Sequence, residues 1–156
     1  MKMQAIVSRE QTPFHFETVN LETPAANEVL IRVVASGVCH TDATILNGSI
    51  PSHYPIILGH EGSGIVEKIG NSVTTVKPGD HVIMGFASCG HCRPCLSGKD
   101  GACDNFNELN FMGKNRYGHY VMKSEQNKDI SQFLVNHLLH TIVSYMKPTL
   151  LKLTLK

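Results

Sequence analysis

Four cysteines stand at Cys89-x2-Cys92-x2-Cys95-x7-Cys103, within fifteen residues of one another. Four thiolates so close in sequence suit a tetrahedral Zn²⁺, which accepts sulfur ligands without geometric strain. Gly90, Gly98 and Gly101 supply the turns a short loop needs to close around an ion. An iron–sulfur cluster is the competing reading. Bacterial cluster motifs have a shorter last gap and a following proline, whereas here the gap is seven and Asp104 follows. His91 lies inside the loop, but four sulfurs already fill a zinc shell. Taken alone, the motif implies a structural metal and no catalysis.

A second set of candidate ligands precedes it. The fifth cysteine sits in Gly37-Val38-Cys39-His40-Thr41-Asp42, and Gly59-His60-Glu61-Gly62-Ser63-Gly64 follows. Cys39 and His60 are donor types that could share a catalytic zinc. Such a site needs three protein ligands and one open position, and only two are obvious here. Each residue also has a plain reading. An isolated cysteine behaves as a small buried hydrophobe, a histidine as a hydrogen-bonded core or surface group, and the glycines as turn or bulge positions.

The elements that must position these groups read as β-rich. Gln4–Ser8, Phe14–Asn20, Glu28–Ala35, Ile65–Ile69 and His81–Met84 have strand character, punctuated by Pro13, Pro24, Gly48, Pro51, Pro55 and Pro78-Gly79-Asp80. Many short strands with regular turns predict a compact barrel or sandwich. His40–Leu46 predicts one short helix. Residues 86–118 read as a metal-held lobe, and Tyr117–Lys123 returns to a strand pattern. Leu134, Leu138, Leu139, Ile142 and Met146 then have helical spacing, with Pro148 as its stop.

Composition narrows the function classes. The 156 residues are 42% hydrophobic and 17% charged, as in an ordinary globular domain. A formal net charge of +1, no Trp and no basic patch beside the cysteines speak against nucleic acid. No long apolar run predicts a membrane span, and residues 1–10 lack a secretory h-region. A cytoplasmic setting with reduced thiols is expected.

In order and spacing, four elements resemble the zinc-dependent alcohol dehydrogenases of the medium-chain dehydrogenase family. They are Gly-x-Cys-His-Thr-Asp (37–42), Gly-His-Glu-x2-Gly-x5-Gly-x2-Val (59–73), Pro-Gly-Asp-His-Val (78–82) and the four-cysteine run. The resemblance covers about residues 1 to 125, and the aryl- or benzyl-alcohol branch is the nearest. It implies a mainly β, GroES-like barrel over 1–126 with a structural zinc lobe at 86–118. By residue, it implies that Cys39 and His60 are ligands of a catalytic zinc and that Glu61 is a transient ligand beside it. Asp42 is then the carboxylate that orients the liganding histidine, Thr41 the hydroxyl that takes the substrate proton, and His40 a neighbour of the cofactor pyrophosphate. Cys89, Cys92, Cys95 and Cys103 are the structural zinc ligands. The full-length family oxidises alcohols to aldehydes with NAD(P), so a small alcohol or aldehyde is the implied substrate.

Three departures qualify that expectation. No cysteine follows Cys103 and no acid follows Asp129, so the family's downstream third ligand has no obvious counterpart. His137 and His140 are the remaining donors there. No glycine follows Gly118, so a Gly-x-Gly-x-x-Gly dinucleotide turn is not expected in the last 38 residues. Thr44 stands where many members continue the proton relay with a histidine. Residues 127–156 therefore read as a divergent tail, frame-shifted or partly disordered, with the Rossmann domain absent and little turnover by the chain alone. A zinc-binding module without catalysis, acting in structure or interaction, is the alternative.

Overall fold

The computed structural model describes residues 1–10, 12, 14–133, 142–146 and 151–152. The first strands are β1 (Lys2–Ser8), β2 (His15–Leu21) and β3 (Glu28–Gly37), and helix α1 (His40–Leu46) follows. After β4 (Ile56–Ile57), β5 (Glu61–Ile69) and β6 (His81–Met84), the chain enters a lobe with short helices α2 (Arg93–Leu96) and α3 (Phe106–Phe111). It leaves through β7 (Met122–Ser124) and β8 (Asp129–Gln132), and two strands β9 (Ile142–Met146) and β10 (Leu151–Lys152) are described beyond that.

Strands β1, β2, β7, β8 and β4 close a small barrel, and β10, β6, β5, β3 and β9 form a second sheet beside it. The predicted mainly β, GroES-like barrel is what the chain adopts. Alternation explains the packing. Met3, Ala5 and Val7 of β1 point inward with Val19, Leu21, Met122 and Ile130, as a period of two requires. The unbroken run Val29-Leu30-Ile31 is buried on both faces. Leu30 joins the barrel core, while Val29 and Ile31 face a second core with Val66, Val73, Val82 and Met84. Strand β3 is thus the shared wall of the two sheets.

The third cluster matters most for the site. Ile45 of α1 packs with Ile56, Leu58 and Phe133, and Phe111 of α3 leans on the same group. Tyr54 Oη donates to the Ile45 carbonyl at 2.6 Å, which ties the helix to the loop before β4.

Some elements differ from the sequence expectation. Strand β8, with its parallel pairing of Ile56 to Ser131 and Ile57 to Gln132, lies past residue 126 and completes the barrel. In place of the expected strand Tyr117–Lys123 stands the shorter and later Met122–Ser124, because Asn115 holds the residues before that strand in a turn. Its side-chain oxygen accepts from the N–H groups of Tyr117 and His119. The helical spacing that ends at Ile142 and Met146 is overruled there. Ile142–Met146 is a strand, antiparallel to β3 from Glu28↔Met146 to Arg32↔Ile142. Ile142, Val143 and Tyr145 favour strands, and the side of β3 opposite β5 supplies backbone groups for them to pair with. Leu134, Leu138, Leu139 and Pro148 lie outside the described residues, as do His137 and His140. No helix among the described residues is long and apolar enough to cross a membrane.

Candidate metal centres

The chain brings two donor groups together among the described residues. The first is Cys39, His60 and Glu61, whose ligand atoms all lie within 4.8 Å of one another. Cys39 sits at the N-cap of α1 with extended backbone angles, φ −102° and ψ 156°. Its thiol is therefore carried on a bend rather than on a helix face. His60 and Glu61 stand where β5 begins.

Asp42 joins these two segments. It is buried at 4% exposure. Its Oδ2 accepts the Cys39 N–H at 2.9 Å, and its Oδ1 accepts the Gly59 N–H at 3.0 Å. Oδ1 also lies 3.3 Å from His60 Nδ1. That contact lacks hydrogen-bond geometry, so Nδ1 is buried without a hydrogen-bond partner. Gly59 makes the arrangement possible through a φ of +104°, which side chains with a Cβ rarely adopt.

Glu61 owes its place to a second glycine. Gly37 pairs with Glu61 across β3 and β5. A Cβ at Gly37 would collide with the Glu61 carboxylate, so the missing side chain leaves that carboxylate room beside Cys39 and His60. Thr41 Oγ1 lies 3.4 Å from Cys39 Sγ. His40 opens α1 and is exposed.

A sulfur, an imidazole nitrogen and a carboxylate oxygen form a donor set suited to a divalent ion of borderline softness. Among the described residues, Glu61, adjacent to His60, is the third residue whose ligand atom lies in this group.

The second group is Cys89, Cys92, Cys95 and Cys103, again with donor atoms within 4.8 Å. Sulfur separations of 3.3 Å (Cys92–Cys95) and 4.0 Å (Cys89–Cys95, Cys92–Cys103) are far beyond a covalent bond. All five cysteines are free thiols. Backbone N–H groups, foremost that of His91 and then that of Cys92, bring the Cys89 thiol down to about 6. Desolvation and the neighbouring Cys92 thiol push Cys95 up to about 12. Sulfurs so crowded cannot all ionise together without a cation, and a bound divalent ion would reverse the Cys95 shift. The His91 ring turns its Nδ1 to the Cys89 carbonyl, 3.0 Å away, and stays out of the sulfur group.

Sequence reading missed the groups that surround His60. Phe86 lies near-parallel to its ring at 6.5 Å, and Phe133 meets it edge-on at 5.6 Å. Phenylalanine is an ordinary core residue, so no sequence signal marked either one. Phe133 also lay in the part read as a divergent tail.

Comparison with known proteins bears on the family and the fold. Residues 25–128 match the alcohol dehydrogenase GroES-like domain, and the chain belongs to that family. It is 46% identical to a geraniol dehydrogenase of Castellaniella defragrans over 112 residues, which are 72% of this chain and 30% of that one. It is 40% identical to the S-(hydroxymethyl)glutathione dehydrogenase of Saccharomyces cerevisiae over 132 residues, covering 83% and 34% of the two chains. The fold superposes on an alcohol dehydrogenase zinc-binding domain protein from Burkholderia ambifaria with a TM-score of 0.93 and 32% identity, covering 97% of this chain and 42% of that one. The benzyl alcohol dehydrogenase of Acinetobacter calcoaceticus follows at 0.89 and 32%, covering 99% and 41%. The chain spans about a third of the length of the curated relatives it matches.

Proposed function

We propose that this chain is the catalytic domain of a zinc-dependent alcohol dehydrogenase, with two zinc sites. Cys39, His60 and Glu61 hold the catalytic ion, and Cys89, Cys92, Cys95 and Cys103 hold the structural one. The observation that carries this reading is the convergence of the first three donors to within 4.8 Å from two separate segments.

Zinc bound there would act as a Lewis acid toward an alcohol oxygen and stabilise its deprotonated form. Asp42 faces His60 Nδ1, which leaves Nε2 for the metal and favours an imidazole that donates through it. The Thr41 hydroxyl, beside the Cys39 sulfur, accepts the substrate proton and passes it outward. Phe86 is half-exposed beside His60 and offers an apolar surface to the carbon skeleton of the substrate. Geraniol and benzyl alcohol name two of the similar enzymes, and an alcohol with an allylic or aromatic carbon is the substrate class proposed for the whole protein. NAD(P) is the cofactor proposed to accept the hydride, with His40 near its pyrophosphate.

The test is zinc per chain, by elemental analysis of protein purified without added metal. About two ions per chain are expected, falling to about one in Cys39→Ala. A single ion that Cys39→Ala leaves in place would overturn the catalytic site and retain only the structural one.

A further inference from the structure

His60 belongs to a closed circuit of rings. Phe106 meets Phe86 edge-on at 5.5 Å, and Phe86 lies over His60 at 6.5 Å. His60 meets Phe133 at 5.6 Å, Phe133 meets Phe111 at 5.6 Å, and Phe111 returns to Phe106 at 6.3 Å. Edge and offset contacts at such distances fix ring orientation as well as burying area. The circuit joins four segments distant in sequence: the start of β5, the entrance to the lobe, helix α3 and the end of β8.

Helix α3 is set by the four-cysteine lobe. The Phe106 N–H donates to the Cys103 carbonyl at 3.0 Å. Asn110, one turn further along, is buried, and its amide pairs with both backbone groups of Ala87 at 2.9 Å. It also donates to the Phe106 carbonyl at 2.8 Å. Ala87 stands between Phe86 and the first lobe cysteines. The same bonds that close the lobe therefore place Phe106 against Phe86, and Phe86 against His60.

We propose that Phe106 is a positioning residue that acts through Phe86 to set the plane of the His60 ring, so that folding of the four-cysteine lobe prepares the Cys39–His60–Glu61 site. This rests on the reading of His60 as a metal ligand. Asp42 lies 3.3 Å from one edge of the imidazole, Phe86 runs near-parallel to the ring and Phe133 meets it at 89°. Without the Phe106 edge, Phe86 loses the ring contact that sets its tilt, and its near-parallel placement against His60 is expected to shift.

The experiment compares the full chain with Phe106→Leu, which keeps apolar bulk, and Phe106→Tyr, which keeps the ring. Two readouts are taken: the His60 ring carbon–proton signals by NMR, and titration of metal-stripped protein with Co²⁺, whose thiolate and ligand-field bands separate the two sites. In Phe106→Leu the His60 signals should move, and affinity for the second cobalt should fall about tenfold or more, in line with other groups that orient a ligand. Cobalt on the four cysteines should bind as before, and Phe106→Tyr should restore both readouts. Unchanged His60 signals and cobalt binding in Phe106→Leu would overturn the proposal and leave the metal reading intact. Loss of cobalt from both sites would also overturn it, making Phe106 a structural residue of the lobe. If wild-type protein takes no second cobalt while His60 still moves in Phe106→Leu, the positioning role stands and the metal reading falls.

Discussion

Asp42 Oδ1 lies 3.3 Å from His60 Nδ1, and the same carboxylate holds the backbone N–H groups of Cys39 and Gly59. One buried acid therefore fixes both segments that supply the donors. Asp42→Asn keeps the shape but loses the charge, and its amide can face only some of those partners correctly. Metal affinity at the Cys39–His60–Glu61 site should fall about 10- to 100-fold. Competition with a chromophoric chelator measures it, and the four-cysteine site should be unchanged. Equal loss at both sites would show that Asp42 supports the whole fold instead.

Gly37→Ala should act through Glu61. The added methyl occupies the space of the Glu61 carboxylate. That side chain is exposed and flexible, so it is expected to swing away with little cost to the fold. Gly37→Ala and Glu61→Ala should weaken the same metal site to similar extents, and the double variant should be no worse than either. Additive losses in such a cycle would mean that the two residues act independently.

Asn110→Ala tests how the lobe is attached. The amide makes three hydrogen bonds to the backbone of Ala87 and Phe106, and truncation leaves buried N–H and C=O groups unpaired. A loss of about 2–4 kcal/mol is expected by urea denaturation of the zinc-loaded protein. A change below about 0.5 kcal/mol, the range of ordinary surface substitutions, would contradict the role assigned to this side chain.

Acid sensitivity should come in small part from the β1–β2 hairpin. The Arg9 guanidinium hydrogen-bonds Glu17 and holds its carboxyl below the usual value of 4.5. A lowered carboxylate contributes stability above its ordinary value and loses it as pH falls through the folded one. The pair is partly exposed, so its contribution should be under about 1 kcal/mol and screened by salt. Glu17→Gln should lower the melting temperature slightly at pH 6 and not at the acid end. An equal loss at both ends would assign the effect to packing.

Much of the barrel was legible in the sequence, because its strands carry local signals. The alternation in β1, the apolar run of β3 and the turn at Pro78-Gly79-Asp80 each report their own structure. So does the four-cysteine spacing, since a closed metal loop needs its ligands near one another in the chain. The two-residue strand β4 carried no such pattern, being too short for a period to show.

The Cys39–His60–Glu61 group shows the division most clearly. Residue types at 37–42 and 59–64 determined which donors exist and what metal they suit. That the Glu61 carboxylate lies beside Cys39 and His60 was decided by the pairing of Gly37 with Glu61 across two strands, a long-range contact that no local pattern contains. The fate of Ile142–Met146 has the same origin. Its spacing fits a helix, yet pairing along β3 satisfies more backbone groups than an isolated short helix can. The rings around His60 were invisible for a related reason: Phe86, Phe106, Phe111 and Phe133 look like any core phenylalanines until the fold brings them together. Composition and spacing thus determined the chemistry available to this chain, while tertiary pairing decided which groups meet, because that depends on backbone hydrogen bonds between residues far apart in sequence.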